Sequence, residues 1–536
     1  MMAIENGPRL LVHQQRFGVA TPSLGHFEQF IAVLFLDFLV RFQPCHRNEH
    51  DILFVPRHWP RESPVSHNAF SQSAEQKEKR GGMVEGPTLT KGLPADLEGE
   101  PCPPQLVRWL ATLNNDLLSI LETIAEEGEG VWLVGGCVRD AWLGAPSTDV
   151  DLCTTSTPDR LLTLFGDRAI PTGVDFGTVT VKGNDGHFEI TTLRTESLYR
   201  DGRRPEQVNW GASLSEDLSR RDFTFNSMAV DVARQLLYDP YNGLSDLRGR
   251  TVRAVGDAGL RCEEDALRIL RAYRFMRRDD GPLWALEPTL HAAILEHRGR
   301  LNMVAIERRW MELQKIVSAS RPGEVLDRMQ NDGVLRFVFT DLTVLNPVLF
   351  HLIDQPAFAP MDLNQRLAIL MCEHATKDAV AQLQALRTSK ELQRSMAMFH
   401  EQLGFLPEPR KAAIRVFNHV MGSAAEHHLA AHETMADHSV NLHTGLETNL
   451  QDIIAVKRLW NQIERPMEAQ PCLVDGHWIM ARTGAVEGMR LGRLKQWLHR
   501  IQIEEGLTTL TEMEAALSKL PYEHGDFEAW PTPSFP

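Results

Sequence analysis

Residues 131–155, "VWLVGGCVRDAWLGAPSTDVDLCTT", restrict the possible folds of this chain more than any other stretch. The apolar run "VWLV" predicts a short buried strand, and the two glycines after it predict a tight turn. "CVRDAWLG" predicts one or two helical turns, and "TDVDLCT" predicts a second strand. A strand, a glycine turn, a helix and another strand in so short a stretch indicate a layered domain of sheet and helices.

Strand patterns give way to helical patterns along the chain. Period-two alternation continues through "TVTVK" and "HFEITTL". Strand-like segments stop near Leu247, and from about Cys262 to Leu520 nearly every periodic segment has helical spacing. The sequence therefore predicts the α+β class, with a mixed sheet and helices in a head and an all-α remainder.

We expect five segments along the chain. Residues 1–104 form an N-terminal extension that lacks sustained periodicity and is mostly disordered. One interpretation takes Met83 as the true start, which makes 1–82 translated upstream sequence. The other segments are, in order, a head, a helical neck, a helical body with its tail, and a loose C-terminal end: 105–250, 251–320, 321–525 and 526–536.

Composition excludes several classes of protein. The longest apolar run, Phe30 to Val40, is too short for a membrane span, contains Asp37 and precedes no small-residue cleavage site. The seven cysteines have no C-x-x-C or metal spacing, so we expect reduced thiols in a cytoplasmic protein or an organelle matrix. The net charge of −15 argues against a chain that coats nucleic acid indiscriminately, but it permits a local basic groove.

Asp149 and Asp151 stand two apart on the predicted strand "TDVDLCT". Alternation points both side chains the same way, and neighbouring carboxylates need a cation such as Mg²⁺ to balance them. An isolated D-x-D is more often a solvated turn. Here the glycine turn lets backbone N–H groups approach a phosphate, and Arg139 on the first helical turn can bind a triphosphate bidentately. The combination predicts a nucleotide site.

A second charged pattern lies in "EEDALRILRAYRF". Residues three and four apart share a helix face, so Glu264 and Asp265 can reach Arg268. Arg271 and Arg274 have no acidic residue one turn further on. Taken alone, such a stripe is usually a solvated helix face.

Four segments together resemble the motifs of class II tRNA nucleotidyltransferases, the CCA-adding enzymes, and of their relatives the bacterial poly(A) polymerases. They stand in the family's order and at its spacing: "VGGCVRDAWLGAPSTDVDLCTT", "SEDLSRRDFTFNSMA", "DPYNGLSDLRGRTVR" and "EDALRILRAYRF". The resemblance covers about residues 105–340 closely and the helical remainder loosely. It implies a DNA polymerase β-like nucleotidyltransferase head, followed by an all-α neck that selects the nucleotide and an all-α body and tail that bind tRNA.

The resemblance also implies roles for single residues. Asp149 and Asp151 would hold the catalytic Mg²⁺, and Glu189 is a candidate third carboxylate whose alternative is an exposed strand acid. Asp222 and Asn226 would position the ribose and a loop. The residues implied in binding nucleotide phosphates are Gly136, Arg139 and Arg221.

In the family, an Asp and an Arg act as a protein template for the base, here Asp265 and Arg268, with Glu264 beside them. An ionised Asp only accepts hydrogen bonds and an Arg only donates them. Cytosine and adenine each present an amino donor beside a ring-nitrogen acceptor, whereas uracil and guanine leave an oxygen facing the carboxylate, a mismatch of about 1–3 kcal/mol. Arg271 and Arg274 would continue toward the nucleotide and its phosphates, so the stripe faces a ligand.

One polar segment, "RTESLYRDGRRPEQVNWGASL", resembles the flexible loop that complete CCA-adding enzymes use to switch from C to A. The alternative is a disordered decoration rich in arginine. The loop favours an enzyme that adds all three nucleotides.

The expected function is template-independent addition or repair of the 3′-terminal CCA of tRNA from CTP and ATP, with Mg²⁺ and release of pyrophosphate. The helical body would contact the acceptor and T arms through shape and backbone. Three alternatives stay open: a poly(A) polymerase, a CC- or A-adding enzyme, and a catalytically silent RNA-binding protein.

Overall fold

The structure is a computed structural model. The chain forms two compact units, Met1–Glu85 and Gly86–Pro536. Met83 lies outside the described residues. In the part of the chain that the structure describes, no helix is long and apolar enough to cross a membrane. The described residues are 42–46, 52–56, 89–145, 149–184, 186–199, 205–211, 213–339, 345–438, 440–446, 449–463 and 470–536.

Strands and helices are numbered in chain order. The strands are β1 (Phe42–His46), β2 (Ile52–Pro56), β3 (Glu100–Pro101), β4 (Val131–Val134), β5 (Asp151–Thr154), β6 (Ala169–Gly173), β7 (Thr178–Lys182), β8 (His187–Thr192), β9 (Arg194–Tyr199), β10 (Pro205–Trp210), β11 (Ala229–Asp231), β12 (Leu236–Tyr238), β13 (Thr251–Val252) and β14 (Ala285–Leu286). The helices are α1 (Pro104–Leu110), α2 (Asn115–Glu126), α3 (Gly136–Trp142), α4 (Pro158–Phe165), α5 (Leu214–Ser219), α6 (Gly243–Arg248), α7 (Ala258–Glu264), α8 (Leu267–Met276), α9 (Pro288–His297), α10 (Ile306–Val317), α11 (Gly323–Asn331), α12 (Pro347–Ile353), α13 (Leu363–Leu370), α14 (Thr376–Ala385), α15 (Lys390–Glu401), α16 (Lys411–Met421), α17 (Ala424–Ala436), α18 (Leu450–Trp460), α19 (Gly476–Thr483), α20 (Met489–Glu505) and α21 (Leu510–Leu517).

The unit Met1–Glu85 contains a β-hairpin among its described residues. β1 and β2 pair antiparallel, with Phe42 opposite Pro56 and His46 opposite Ile52. The sequence indicated a mostly disordered extension here, so this hairpin is a local departure from that expectation.

An eight-stranded sheet forms the head of the second unit, in the order β3-β12-β11-β4-β5-β8-β7-β6. β5 and β8 run parallel, and the other pairs are antiparallel. This mixed sheet, followed by helices, confirms the predicted α+β class. The edge strand β3 and a hydrogen bond from Arg234 Nη2 to Gly92 O (2.6 Å) attach residues 89–104 to the head. These residues therefore differ from the loose extension expected for them.

The segment expected to be a flexible loop contains a second hairpin. β9 pairs antiparallel with β10, and Arg194 lies opposite Trp210. Residues 200–204, between the two strands, lie outside the described part of the chain. The hairpin base lies close to the central sheet, because Gly211 N–H donates to Leu193 O at 2.9 Å and Leu193 N–H donates to Thr154 O of β5 at 2.8 Å.

The neck is joined to the head by backbone hydrogen bonds between residues 222–224 and 253–255 and by a shared core. β13 and β14 pair parallel, so strand structure continues beyond Leu247, where the sequence indicated that it stops. Helix α8 packs against α10 and α11, and one apolar core runs from the sheet through these helices into the body. A separate core around Val474, Leu498 and Trp530 supports the C-terminal helices. The continuous core fixes the neck helices relative to the sheet.

Candidate active site

The turn between β4 and α3 forms part of the site wall. Gly135 has a φ of +73°, and a Cβ at that position would lie 2.8 Å from Arg221 Nη1. Only glycine suits both this conformation and this close approach. The turn brings Gly136, the first residue of α3, to the cavity, as the sequence predicted.

Arg139 connects the first motif with the second. Its Nε and Nη2 each donate to Asp140 at 2.8 Å, and its Nη1 donates to Asn226 Oδ1. The side chain is buried, at 8% exposed. Both predicted residues, Arg139 and Asn226, therefore meet at the same wall of the cavity.

Three acidic residues predicted for the metal site lie near the start of β5. Asp151 is the first residue of β5 and is in register with Glu189 on β8. Asp149 is exposed and precedes the strand, so the strand alternation expected to align it with Asp151 does not extend to it. Partial enclosure by protein and the neighbouring Glu189 raise the pKa of Asp151, and Asp149 adds to this against the opposing Arg221. Carboxylates that repel one another in this way favour a bound cation.

Asp217 holds the arginines of the second motif. Arg221 Nη2 lies 3.0 Å from Asp217 Oδ2, and Arg220 Nε donates to Oδ1 at 3.1 Å. Burial would raise the pKa of Asp217, but Arg221 and Arg220 outweigh burial and lower it. The predicted phosphate ligand Arg221 is therefore positioned by a buried, ionised acid.

Asp222 links the second motif to the neck. Its Oδ2 accepts from Arg271 Nε at 2.7 Å, and its Oδ1 accepts from Asn226 Nδ2 at 2.9 Å. Burial would raise the pKa of Asp222, but Arg271 and these hydrogen bonds outweigh burial and lower it. Asp222 thus orients an arginine that the sequence placed near the nucleotide.

The charged pattern "EEDALR" is not on one continuous helix. Helix α7 ends at Glu264, Asp265 is extended (φ −146°, ψ 101°), and α8 begins at Leu267. Asp265 Oδ1 accepts the Leu267 N–H at 3.0 Å and Oδ2 accepts Arg308 Nη2 at 2.6 Å. Arg268 Nη1 donates to Glu264 at 2.8 Å, which agrees with the expected Glu264–Arg268 contact. The break separates Asp265 from that ion pair and turns it toward α10.

Arg271 and Arg274 share an acidic partner from another helix. Glu312 on α10 is 5% exposed, and its carboxylate lies 3.7 Å from Arg271 Nη1 and 3.2 Å from Arg274 Nε. The sequence showed no acidic residue for these arginines within α8. The partner comes from tertiary packing of α10 on α8.

Eleven of the predicted site residues line one cavity of about 800 Å³, whereas Asp149 and Glu264 do not. Glu264 instead pairs with Arg261 and Arg268. The predicted residues that line the cavity are Gly136, Arg139, Asp151, Glu189, Arg221, Asp222, Asn226, Asp265, Arg268, Arg271 and Arg274.

Sequence reasoning missed several basic residues of the cavity wall. They are Arg220, Arg277, Arg278, Arg308 and Lys315. A signal was available for α10, because Arg308, Glu312 and Lys315 recur at helical spacing in "ERRWMELQK". Arg278 also continues the helical spacing of Arg271 and Arg274, four residues after Arg274, although α8 itself ends at Met276.

Family models match two regions of the chain. The Poly A polymerase head domain matches residues 131–253, and a model described as "Probable RNA and SrmB- binding site of polymerase A" matches residues 285–345. The first covers the sheet and its motifs. The second begins at β14 and covers α9 to α11.

Several curated and solved proteins that this chain resembles are described as CCA-adding enzymes. The CCA-adding enzyme of Streptococcus pyogenes serotype M2 is 39% identical over 280 residues, which span 52% of this chain and 68% of the relative. A Bacillus stearothermophilus CCA-adding enzyme, solved in complex with CTP, is similar in fold (TM-score 0.58, 23% identity, 78% of this chain and 99% of that chain). A Thermotoga maritima CCA-adding enzyme, solved with tRNA, has a TM-score of 0.51 at 18% identity, over 77% and 98% of the two chains.

Proposed function

This chain belongs to the CCA-adding enzymes, a family of tRNA nucleotidyltransferases, and on that premise we propose that it adds or repairs the 3′-terminal CCA of tRNA. It takes the nucleotides from CTP and ATP and releases pyrophosphate. One observation carries the proposal: a single cavity contains the Asp151 and Glu189 carboxylates, a set of arginines, and the Asp265 and Arg268 side chains. The first two groups suit nucleotidyl transfer, and the third suits base choice.

Nucleotidyltransferases of this family use divalent metal ions, and we assign Mg²⁺ to Asp149 and Asp151, with Glu189 as a third carboxylate. The raised pKa of Asp151 supports the assignment, because enclosure by protein and then the charge of Glu189 make its ionised form costly, and a bound cation would offset both effects. Among the described residues, no three His, Cys, Asp or Glu side chains enclose a metal by themselves. Mg²⁺ often takes its remaining ligands from water and substrate phosphates, so a few carboxylates are enough to place it. When bound, the ion lowers the barrier by activating the attacking hydroxyl and stabilising the leaving pyrophosphate.

The arginines bind and orient the triphosphate. Asp217 holds Arg221, and Asp140 and Asn226 hold Arg139, so neither guanidinium has to be ordered when the nucleotide arrives. Phosphoryl transfer asks the protein mainly for positioning and for stabilisation of charge. The residues to which we assign binding of the triphosphate are Gly136, Arg139, Arg221, Arg271 and Arg274.

Asp265 and Arg268 choose the base. Each oxygen of the Asp265 carboxylate accepts one protein hydrogen bond and keeps further acceptor capacity for an amino group of cytosine or adenine. Arg268 supplies the donors for the ring nitrogen. Arg308 fixes the carboxylate, so a wrong base meets a group that does not move to accommodate it.

Residues 251–320 serve as the neck that selects the nucleotide, and 321–525 grip the tRNA. The match of 285–345 to a model described as a probable RNA-binding site supports RNA contact where the neck meets the body. We assign the switch from C addition to A addition, expected of a flexible loop, to the hairpin of β9 and β10.

The test is an incubation of the protein with a tRNA that lacks CCA, Mg²⁺, and CTP and ATP singly and together. We expect two C additions, then one A, then a stop, with one pyrophosphate released per addition. An open-ended ladder with ATP alone would identify a poly(A) polymerase. Two C additions without A would identify a CC-adding enzyme, and binding without pyrophosphate release would identify a silent RNA-binding protein.

A further inference from the structure

The ring of Phe275 lies beside four guanidinium groups at the cavity wall. From the ring centroid to Cζ, Arg274 is at 4.6 Å, Arg139 at 5.1 Å, and Arg271 and Arg278 at 5.7 Å each. All four distances fall within the range of about 6 Å over which a cation is attracted to an aromatic face. Phe275 is 3% exposed, so water screens these contacts weakly.

Other aromatic rings fix the orientation of Phe275. Phe223 and Phe225 contact it nearly edge-on, with centroids at 5.5 Å and 5.3 Å. Phe225 in turn meets Trp284 at 6.0 Å. These edge-on contacts link the second motif to the segment after α8. Phe275 therefore has a defined orientation relative to both head and neck.

Two of the four arginines have unmet donors. The Nε atoms of Arg274 and Arg278 are buried and have no hydrogen-bond partner among the described residues. Arg274 Nε lies 3.2 Å from Glu312 Oε2, without the alignment of a hydrogen bond. In contrast, Arg139 donates from all three of its nitrogens, and Arg271 donates to Asp222. Because Arg274 and Arg278 make fewer hydrogen bonds than Arg139 within the described residues, their terminal N–H groups stay available to an anion in the cavity that they line.

Arg278 joins the cluster from outside the predicted helix. Its Nη2 donates to Asp140 Oδ1, an oxygen that Arg139 also uses. Burial lowers the pKa of Arg278, and the positive charge of Arg139 lowers it further. Because Arg139 and Arg278 share the Asp140 carboxylate, that acid balances only part of their positive charge, and an anion in the cavity can balance the rest.

We propose that Arg278 is a further triphosphate-binding residue and that Phe275 is the positioning residue that holds Arg274 and Arg278 against the phosphates. An aromatic face attracts a guanidinium without occupying its N–H groups, so those donors stay available to phosphate oxygens. A carboxylate in the place of the ring would accept hydrogen bonds from those N–H groups and leave fewer of them for the phosphates. The inference deepens the proposed function, on which it rests for the identity of the triphosphate as that of CTP or ATP.

The first experiment tests Arg278 with the full-length protein. Arg278→Gln is compared with Arg250→Gln, whose arginine pairs with Asp279 at 3.3 Å and is not among the residues lining the cavity. The probes are tripolyphosphate, CTP and cytidine. Arg278→Gln should raise the Kd of tripolyphosphate and of CTP about tenfold, as expected for one lost charge-assisted contact. The Kd of cytidine, and every Kd of Arg250→Gln, should stay within about twofold of the unchanged protein.

The second experiment tests Phe275 without changing its shape. Phenylalanine with one, two and three ring fluorines at 275 weakens the negative face of the ring in steps. Each step should raise the Kd of tripolyphosphate further. The same series at Phe350, a buried phenylalanine of α12, is the control, because no guanidinium lies over its ring among the described residues. An equal response at both positions, or a Kd that follows the melting temperature, would make Phe275 a core residue only.

The two proposals fail separately. If the protein binds tripolyphosphate with this dependence on Arg278 and Phe275 but does not extend a tRNA that lacks CCA, the proposed function fails and the anion site stands. If it completes CCA normally while Arg278→Gln leaves the affinity for tripolyphosphate unchanged, the inference about Arg278 is overturned and the proposed function stands.

Discussion

Asp151 and Glu189 lie in register on the adjacent parallel strands β5 and β8, and both side chains line the same cavity. The Glu189 carboxylate makes ionisation of Asp151 less favourable, which contributes to the raised pKa of Asp151 after the larger effect of enclosure by protein. The pair therefore costs stability until a cation binds. For this reason the metal assignment has a consequence for stability as well as for activity.

Asp151→Asn should slow C addition on the order of a thousandfold, since metal-held charge stabilisation is worth several kcal/mol. In metal-free buffer at pH 7 the same variant should melt at a higher temperature than the unchanged protein. The folded pKa of Asp151 lies above the ordinary 3.8, so ionisation costs stability at neutral pH, and this cost disappears as the pH falls through the raised value.

Thermal melting with and without Mg²⁺ measures this effect. Mg²⁺ should raise the melting temperature of the unchanged protein and of Asp159→Asn, a variant of an exposed acid on α4, but not that of Asp151→Asn. Equal Mg²⁺ responses in all three proteins would remove Asp151 from the metal site.

Arg308→Gln should blur base choice without abolishing transfer. Arg308 Nη2 holds Asp265 Oδ2 at 2.6 Å, and a carboxylate free to rotate discriminates less against uracil. We expect the preference for CTP over UTP to fall about tenfold, within the range set by one buried hydrogen-bond mismatch. The measurement is kcat/KM for each nucleotide on a tRNA that lacks CCA. Arg387→Gln, at an exposed pair with Glu307, is the control, and an unchanged preference in Arg308→Gln would leave Asp265 independent of Arg308.

Asp222→Asn should destabilise the junction of head and neck by about 1.5–3 kcal/mol at pH 7, because Arg271 loses a charge-assisted hydrogen bond and keeps only the more distant Glu312. The folded pKa of Asp222 lies below the ordinary 3.8. Its stabilising effect is therefore complete above pH 3.8 and is lost as the pH falls through the lower folded value. Urea unfolding of both proteins at several pH values should show a gap that narrows below pH 3.8. A gap that is constant with pH would mean that the charge of Asp222 is not the cause.

Gly177→Ala should impair A addition more than C addition. Gly177 has a φ of +85°, and a Cβ there would lie 2.6 Å from the Trp210 ring at the base of the β9–β10 hairpin. The substitution should displace the hairpin that we assign to the switch from C to A. Gel analysis of the products should show tRNA ending in CC. Gly186→Ala, where an added Cβ meets no atom within 4 Å, is the control, and equal loss of both additions in Gly177→Ala would argue for general damage to the sheet.

Acid should destabilise the helical body through His400. Burial lowers the pKa of His400 from 6.5 to about 4, so the folded protein holds the neutral form. The stability that depends on neutral His400 is complete above pH 6.5 and should fall by about 2 kcal/mol by pH 5. His400→Gln should be less stable at pH 7 but should lose less on acidification, as urea unfolding at pH 7 and pH 5 would show. A pH dependence equal to that of the exposed control His477→Gln would assign the effect to other groups.

The sequence predicted local elements well where their cause lies within a few residues. The glycine turn, α3, β7 and β8 all lie where the pattern placed them. The family resemblance supplied the candidate residues, and most of them line one cavity. β5 begins only at Asp151, so Asp149 lies outside the hydrogen-bonded strand, but its charge still acts on Asp151.

Partners that are distant in sequence were not predictable. Periodicity showed that Arg271 and Arg274 share a helix face, but the packing of α10 determines that Glu312 lies opposite them. The sequence did not predict the break between α7 and α8 at Asp265, again because its cause is distant along the chain. A contact with Arg308, 43 residues away, helps hold Asp265 in the extended conformation that separates the two helices.

By itself, then, the sequence determined which short elements form, in what order the motifs occur and which residue types meet a nucleotide. These features follow from steric preference, hydrophobic period and side-chain chemistry, all of which act locally. Only the tertiary structure decided that Asp151 stands beside Glu189, that Asp265 is held by Arg308, and that Phe275 lies beside four guanidinium groups. Such pairings depend on how strands and helices pack across the core, and a pattern along one helix or strand does not specify what packs against it.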